Sequence, residues 1–443
     1  MDSSTDLTTL LAGSPYLNYL YSYPHKTAYR ALKKPQSLKQ LWQAEDKDAL
    51  FLYMHIPFCE MRCGFCNLFT TANPQQSLIN RYLDQLEQQA LQIDKALGNY
   101  NITNLAIGGG TPSYLTTVEL QRLFSIAQHS LGINLASTPI GIEVSPATVT
   151  EDRLDVFVEN QVNRISIGIE SFIVSEANAM GRPQKQQDVE HALCLIQQAN
   201  IDILNIDLIY GGEGQSLTSW LESVAQAIHW QADEIYLYPL YIRPLTGLGR
   251  KGERHWDDQR MNAYLAACDV LGKAGYQQIS MRLFRRKASI ITQQGEYHCQ
   301  EDGMIGLGCG ARSYTRAMHY SFDYAVKRQG VLDIIQQYNQ LDTQALSQAH
   351  YGIVLNEEEQ KRRYTLLSLL QCEGMSRHHY KQLFNTEVLD DLPQLQQLEE
   401  CAIARIDNDT IRLNAQGIAY SDVIGTWLYS SAVRRKMTEY QTR

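Results

Sequence analysis

The feature that most limits the fold of this chain is a rhythm. Short apolar runs recur between Ala49 and Phe284: ALFLYMHI (49–56), NITNLAIGGG (101–110), PIGIEVSP (139–146), RISIGIES (164–171), DILNIDLIYG (202–211), EIYLYPLYI (234–242) and QISMRLF (278–284). Helix-like stretches separate them near 76–98, 116–131, 150–160, 185–200, 216–230 and 257–274. Strands buried on both faces read as continuous apolar runs, and a helix between each pair is the crossover a parallel sheet requires. Six or seven such units predict an α/β fold, a full or partial (β/α) TIM-like barrel rather than a short open sheet. Such barrels place ligands at the C-terminal ends of their strands.

The rest of the chain divides around that core, taken as residues 49–290. Residues 1–48, with the aromatic stretch SPYLNYLYSYPHKTAYRAL, predict an arm laid over something larger. Residues 291–354 connect, and 355–443 predict a winged-helix-like α+β domain. In that tail NEEEQKRRYTLLSLLQ, SRHHYKQLF and DLPQLQQLEECA read as helices, and AIARIDNDTIRLNAQG reads as a hairpin. Winged helices often bind DNA. A net charge of −9 and the lack of a basic stripe instead assign this one a structural or capping role and argue against a nucleic-acid partner. No run reaches the roughly 20 apolar residues of a membrane span. The N-terminus MDSSTDLTTLLAGSPYL lacks a basic start, so the expected location is the cytoplasm. Nine cysteines, an odd number, then suggest reduced thiols or metal ligands rather than disulfides. The 26 tyrosines suit half-buried surfaces.

Three of those cysteines stand together. HIPFCEMRCGFCNLFT (55–70) holds Cys59, Cys63 and Cys66 at C-x3-C-x2-C spacing, directly after the first strand. A four-iron cluster usually takes four thiolates, so a loop offering three leaves one iron open for a small molecule. Zinc is the rival, with His55 as fourth ligand of a Cys3His site. Three ordinary buried thiols are the third reading. Other strand ends carry signals too. GGGTP (Gly108–Pro112) offers unhindered backbone N–H groups. Glu143 and Glu170 end strands three and four, and Asp207 lies in strand five. Acidic groups facing one pocket could hold an ammonium group or ribose hydroxyls.

The cysteine spacing with Phe65 before the third cysteine, followed by GGGTP, resembles the radical S-adenosylmethionine (SAM) superfamily. The strings YMHIPFCEMRCGFC, IEVSP, NRISIGIESF, NIDLIYG, GLGCGARSY and LNAQGIAYSDVIGTWL resemble a narrower group within it. That group holds the oxygen-independent coproporphyrinogen III dehydrogenases and the related haem chaperones. The resemblance spans residues 49 to 430, and the arm's YLYSYPHKTAY is similar to the same stretch of the dehydrogenases. It implies that Cys59, Cys63 and Cys66 hold a [4Fe–4S] cluster whose open iron is chelated by SAM. Gly109, Gly110 and Thr111 would contact the methionyl end. Tyr53, Phe65, Glu143, Arg182 and Asp207 match cofactor-contacting positions, and Glu170 joins them where the family commonly has glutamine. The implied chemistry is reductive cleavage of SAM to a 5′-deoxyadenosyl radical, with a flavodoxin or ferredoxin as electron donor.

Departures bear on the reaction. The dehydrogenases carry a fourth cysteine where this chain has Leu68. The chaperones carry a His–Asn pair before a tyrosine, and QQGEYHC (293–299) stands there instead. GLGCGARSY (306–314) matches both branches. It borders a second SAM in the dehydrogenases, so one or two molecules are expected, near Leu307 and its neighbours, with Cys309 read as a small buried residue. Arg243, Arg250, Arg254, Arg282, Arg285 and Arg286 follow the last strands and suit a polyanionic substrate or a solvated face. The expected function is coproporphyrinogen III dehydrogenase-like oxidoreductase chemistry on a carboxylate-bearing tetrapyrrole. The alternative is a haem carrier of the same fold.

Overall fold

The structure, a computed structural model, describes residues 6–16, 19–20, 22–251, 259–287 and 297–440. Six strands run parallel in chain order: β1 (Leu50–Ile56), β2 (Ile102–Gly109), β3 (Ile140–Val144), β4 (Arg164–Glu170), β5 (Ile203–Tyr210) and β6 (Glu234–Pro239). Helices α1 (Gln76–Leu97), α2 (Thr117–Ser125), α3 (Glu151–Glu159), α4 (Gln186–Gln198) and α5 (Leu217–His229) make the crossovers. Leu50, Leu52, Met54 and Ile56 of β1 are wholly buried. Each such side chain contributes roughly 1.5–3 kcal/mol of transfer free energy. On α1, Leu78, Tyr82, Leu86, Ile93 and Leu97 recur at helical spacing and form its buried face. A capping box starts α2: Thr116 Oγ1 accepts from the Glu119 N–H, and Glu119 Oε2 accepts from the Thr116 N–H at 2.8 Å.

The seventh run departs from expectation. QISMRLF is not a parallel strand but the turn and part of a hairpin, β7 (Tyr276–Gln278) and β8 (Leu283–Arg286). β8 pairs antiparallel to β6, so the parallel succession stops at six. Only four residues separate β7 from β8, enough for an antiparallel turn and far too few for a parallel crossover. On the other side β9 (Met304–Leu307) pairs parallel to β1. The sheet then continues antiparallel through Arg312–Tyr314, Met318–Ser321 and Gln348–Val354 to Arg30–Ser37, the arm's own strand. The barrel is therefore partial, with an antiparallel extension on its open side.

The tail begins with helix Glu357–Leu369, N-capped by Asn356, whose side chain accepts from the Glu359 N–H at 2.9 Å. Helix Arg377–Phe384 and a three-stranded sheet of Met375–Ser376, Thr410–Leu413 and Ala404–Ile406 complete a winged-helix-like unit. Pro393 splits the expected 391–402 helix into short turns. Asp422 joins this tail to the barrel, accepting from Arg282 Nη2 at 2.6 Å and from the Leu20 N–H at 3.1 Å. Among the described residues no helix is long and apolar enough to cross a membrane.

Candidate cluster and cofactor site

After β1 the chain pairs Phe58–Cys59 with Thr71–Ala72, and this two-residue ladder closes the cysteine loop. Backbone bonds tie the loop to the far side of the barrel: the Gly64 N–H donates to Gly181 O at 3.1 Å, and the Leu248 N–H to Gly64 O at 2.7 Å. Phe65 packs there on Met180, Ile209, Leu240 and Leu248. Cys59 is buried, and Cys63 and Cys66 are half-buried. Burial pushes the Cys59 thiol up to about 12, opposed by hydrogen bonds from Thr111 and Thr70. Burial pushes Cys63 up to about 11, opposed by the Arg182 guanidinium, which donates to its sulfur at 3.3 Å.

The end of β2 lies against this loop. The Gly110 N–H donates to Ile56 O and the Thr111 N–H to Phe58 O, each at 2.8 Å. A Cβ on Gly110 would lie 2.7 Å from Cys59 Sγ, so only glycine lets the backbone come this near the sulfur. Gly109, at φ +118°, packs on the His55 ring, and its N–H donates to Glu143 Oε2 at 3.0 Å. Burial raises Glu143 to about 7, against that hydrogen bond, and Asp207 adds to the shift. Glu143 is ringed by protein, yet its side chain is exposed to a cavity. Glu170 lies at φ +66°, just past a register shift between β4 and β5, and stands 3.5 Å from Arg182. Burial lifts it to about 7 as well. Asp207 accepts from Asn205 at 2.8 Å and from Ser166 at 3.3 Å, and burial raises it too.

The barrel mouth thus gathers the three cysteines with Gly109, Gly110, Thr111, Glu143, Glu170, Arg182 and Asp207. Phe65 lies behind the loop, and Tyr53 lines the cavity beside His55. The zinc reading does not fit. His55 Nε2 pairs with Phe69 O at 2.9 Å, and Nδ1 lies 3.4 Å from the Tyr53 hydroxyl. Among the described residues no three His, Cys, Asp or Glu side chains converge on one ion. Cys309 is buried beside Tyr82, as expected of a small packed residue. Leu307 is buried in the sheet opposite Met54, and Gly310 and Arg312 of the same segment line the cavity.

Three of the arginines after the last strands are paired with acids. Arg282 pairs with Asp422, Arg285 with Glu234 at 2.7 Å and Arg286 with Asp233 at 2.8 Å. Arg250 is exposed, and Arg254 and residues 293–296 of QQGEYHC lie outside the described residues. Of the five that are described, only Arg243 lines the cavity. That cavity, about 500 Å³, is bounded by the loop residues Asn67, Leu68 and Phe69. Lys26, Arg312 and Tyr324 also bound it; Lys26 and Arg312 lie in stretches noted above for their resemblance, but no pattern marked the three side chains themselves. A second cavity of about 600 Å³, between α1 and the antiparallel extension, contains no cysteine of the loop and none of the barrel-end acids.

Comparison with known proteins accords with this geometry. The radical SAM superfamily matches residues 53–227. The heme chaperone HemW of Escherichia coli (strain K12) is 31% identical over 274 residues, covering 59% of this chain and 69% of the relative. This chain belongs to the radical SAM superfamily. Its radical SAM relatives include the oxygen-independent coproporphyrinogen III oxidase of the same strain, 25% identical over 428 residues, which cover 90% of this chain and 91% of the relative. The solved structure of coproporphyrinogen III oxidase (HemN) from Escherichia coli, a radical SAM enzyme, superposes with a TM-score of 0.77 at 22% identity. It covers 93% of this chain and 96% of that one and shows the same fold.

Radical SAM membership implies a [4Fe–4S] cluster and SAM, and the residues present fit both. One loop offers three free thiols, and a cuboidal cluster with one open iron takes a thiolate on each of the other three. The side-chain-free face of Gly110 leaves Cys59 room, and Arg182 stands ready to offset the negative charge of a Cys63 thiolate. Carboxylates beside a guanidinium, on adjacent strand ends, match the ammonium and carboxylate of an amino-acid moiety.

Proposed function

We propose that this chain is a radical SAM enzyme of the coproporphyrinogen III oxidase-like kind, acting on a tetrapyrrole or a similar carboxylate-bearing molecule. The observation that carries this reading is the cavity beside the cysteine loop. Leu68, Phe69, Leu245, Val326, Tyr324 and Tyr429 make much of its lining apolar or aromatic, while Lys26, Arg243 and Arg312 make one part cationic. An apolar macrocycle with anionic arms is the kind of molecule such a lining suits. The coproporphyrinogen III oxidase relatives, matching over most of both chains, carry a substrate of that class in their name.

When bound, the cluster and SAM would supply a 5′-deoxyadenosyl radical able to take a hydrogen atom from the substrate. The chain's own residues do the rest. Cys59, Cys63 and Cys66 hold the cluster. Arg182 takes the cofactor's carboxylate, and Glu143 and Asp207 take its cationic groups. The backbone of Gly109 to Thr111 runs alongside, and the enclosed barrel mouth keeps water from a reactive intermediate. A flavodoxin- or ferredoxin-type donor supplies the electron. A carrier reading also has an observation behind it. Leu68, half exposed on the cavity wall, stands where the dehydrogenases carry a fourth cysteine, and HemW proteins are among the relatives.

The deciding experiment is anaerobic cluster reconstitution, then dithionite, SAM and coproporphyrinogen III, with 5′-deoxyadenosine measured by chromatography. Its formation, lost in Cys63→Ala, is the expected result. A loaded cluster with tight haem binding and no 5′-deoxyadenosine would replace the enzyme with the carrier. Bound zinc in place of iron would overturn both.

A further inference from the structure

The strand end that carries Glu170 is irregular. Gly168 of β4 stands opposite Asp207 of β5 and Glu170 opposite Leu208, so Ile169 is one residue more than the ladder needs. Such a bulge bends its strand and re-aims a side chain. Glu170 takes φ +66°, a left-handed conformation that a residue with a Cβ keeps only where its surroundings hold it. Space there is tight: a Cβ on Gly168 would lie 3.0 Å from Glu170 Oε1.

One side chain spans the bulge. Gln184, in the segment that leads into α4, donates from Nε2 to the carbonyls on both sides of Glu170, Ile169 O and Ser171 O, each at 2.9 Å. Its Oε1 accepts from Arg182 Nε at 3.3 Å. Only one orientation of the amide satisfies all three contacts, because carbonyls only accept and a guanidinium only donates. The rest of that guanidinium is held too. Arg182 Nη2 donates to Gly168 O at 2.5 Å, and Nη1 lies 3.3 Å from Cys63 Sγ and 3.5 Å from Glu170. Gln184 is not part of the cavity lining beside the cysteine loop, so its influence there passes through Arg182 and Glu170.

We propose that Gln184 is a positioning residue of the cofactor site: it locks the bulge at Glu170 and the Arg182 guanidinium into one unit, so that Arg182 meets the cofactor's carboxylate and the Cys63 sulfur in a fixed orientation. The effect on the cofactor rests on the role proposed above for Arg182; the effect on Cys63 does not. Arginine has a long, rotamer-rich side chain, and a guanidinium already held in place loses less freedom when its partner arrives.

The test uses the full-length, cluster-loaded protein under anaerobic conditions, with SAM as the probe. SAM affinity is read by equilibrium dialysis. The cluster potential, without SAM, is read by a redox titration followed by electron paramagnetic resonance. Gln184→Leu is expected to weaken SAM about tenfold, the scale of one misplaced charge-assisted hydrogen bond, and to move the potential to more negative values with its iron content kept. Gln184→Asn keeps the amide but is one methylene too short to reach both carbonyls and Arg182, and is expected to fall between Gln184→Leu and wild type. It carries the test if Gln184→Leu does not fold by thermal melting. Combined with Arg182→Met, replacing Gln184 is expected to cost less than about twofold more in SAM affinity, because the group it positions is gone. Wild-type affinity and potential in both Gln184 variants overturn the inference and leave the cofactor role of Arg182 intact. A full further loss on top of Arg182→Met also overturns it, since Gln184 would then act by another route. A potential that moves in both Gln184→Leu and Arg182→Met, with SAM affinity unchanged in each, supports the positioning of Arg182 and removes its contact with the cofactor.

Discussion

The guanidinium of Arg182 reaches two partners at once: it donates to Cys63 Sγ at 3.3 Å and stands 3.5 Å from the Glu170 carboxylate. A cation beside a cluster sulfur favours the more negative, reduced cluster, because hydrogen bonds and charge near the sulfurs set the potential. Arg182→Met is therefore expected to shift the cluster potential to more negative values in a redox titration followed by electron paramagnetic resonance. It is also expected to weaken SAM by on the order of tenfold, since a charge-assisted contact to the cofactor's carboxylate is lost. An unchanged potential would remove Arg182 from the cluster's surroundings.

Glu170 gives the protein a pH dependence of definite sign. Burial raises its carboxyl from 4.5 to about 7, and Arg182 only partly opposes this. The folded protein then holds its proton where the unfolded chain has released it, so apo-protein stability falls as pH rises from about 4.5 to about 7. At about 1.4 kcal/mol per pKa unit, the loss reaches up to about 3 kcal/mol. The difference in melting temperature between Glu170→Gln and wild type should grow in favour of the variant from pH 5 to pH 8. A difference independent of pH would mean that the carboxyl titrates as if in water.

Gly110→Ala tests how closely the β2 turn approaches the cluster loop. The added Cβ would meet Phe58 O at 2.5 Å and Cys59 Sγ at 2.7 Å, and neither is the end of a flexible side chain. The loop must move, at a cost of about 1–3 kcal/mol. Iron per chain after reconstitution is expected to drop well below wild type while the barrel keeps its circular dichroism. Full iron loading in this variant would show that the thiols do not need the observed approach.

How far the sequence anticipates the structure depends on whether neighbours in the chain decide the outcome. The six parallel strands are legible because each is buried on both faces and leaves a continuous apolar run. QISMRLF misleads because a turn and a strand with apolar residues look like one strand, and the partner that makes β8 antiparallel, β6, lies 44 residues before it. The cysteine loop and the acids at the strand ends are legible because strand ends are where a barrel presents its side chains. The arginines after the last strands are misread because their charge does not name its partner: Glu234 lies 51 residues from Arg285, and Asp422 lies 140 from Arg282. Lys26 and Arg312 escape notice for the same reason. The cavity is assembled from the arm, the segments after β6 and β9 and the C-terminal helix, which only the fold brings together.

Asp422 offers a test of how the tail is held. Its side chain is 1% exposed, pairs with Arg282 at 2.6 Å, and also accepts from Tyr241 and from the Leu20 N–H of the arm. Removing one partner of a buried pair leaves the other without compensation, at a cost of about 3–5 kcal/mol. Asp422→Ala should therefore lower the urea midpoint sharply and loosen the arm along with the tail, read as faster hydrogen exchange near Leu20. Replacing both charges by apolar groups, Arg282→Met with Asp422→Leu, should recover most of the stability, because no buried charge is then left alone. The three-element junction would nonetheless keep faster exchange at Leu20, whose N–H has lost its acceptor. If the single variant cost less than about 1 kcal/mol, the pair would be behaving as a solvent-screened surface bridge, and the tail would be held by its apolar contacts alone.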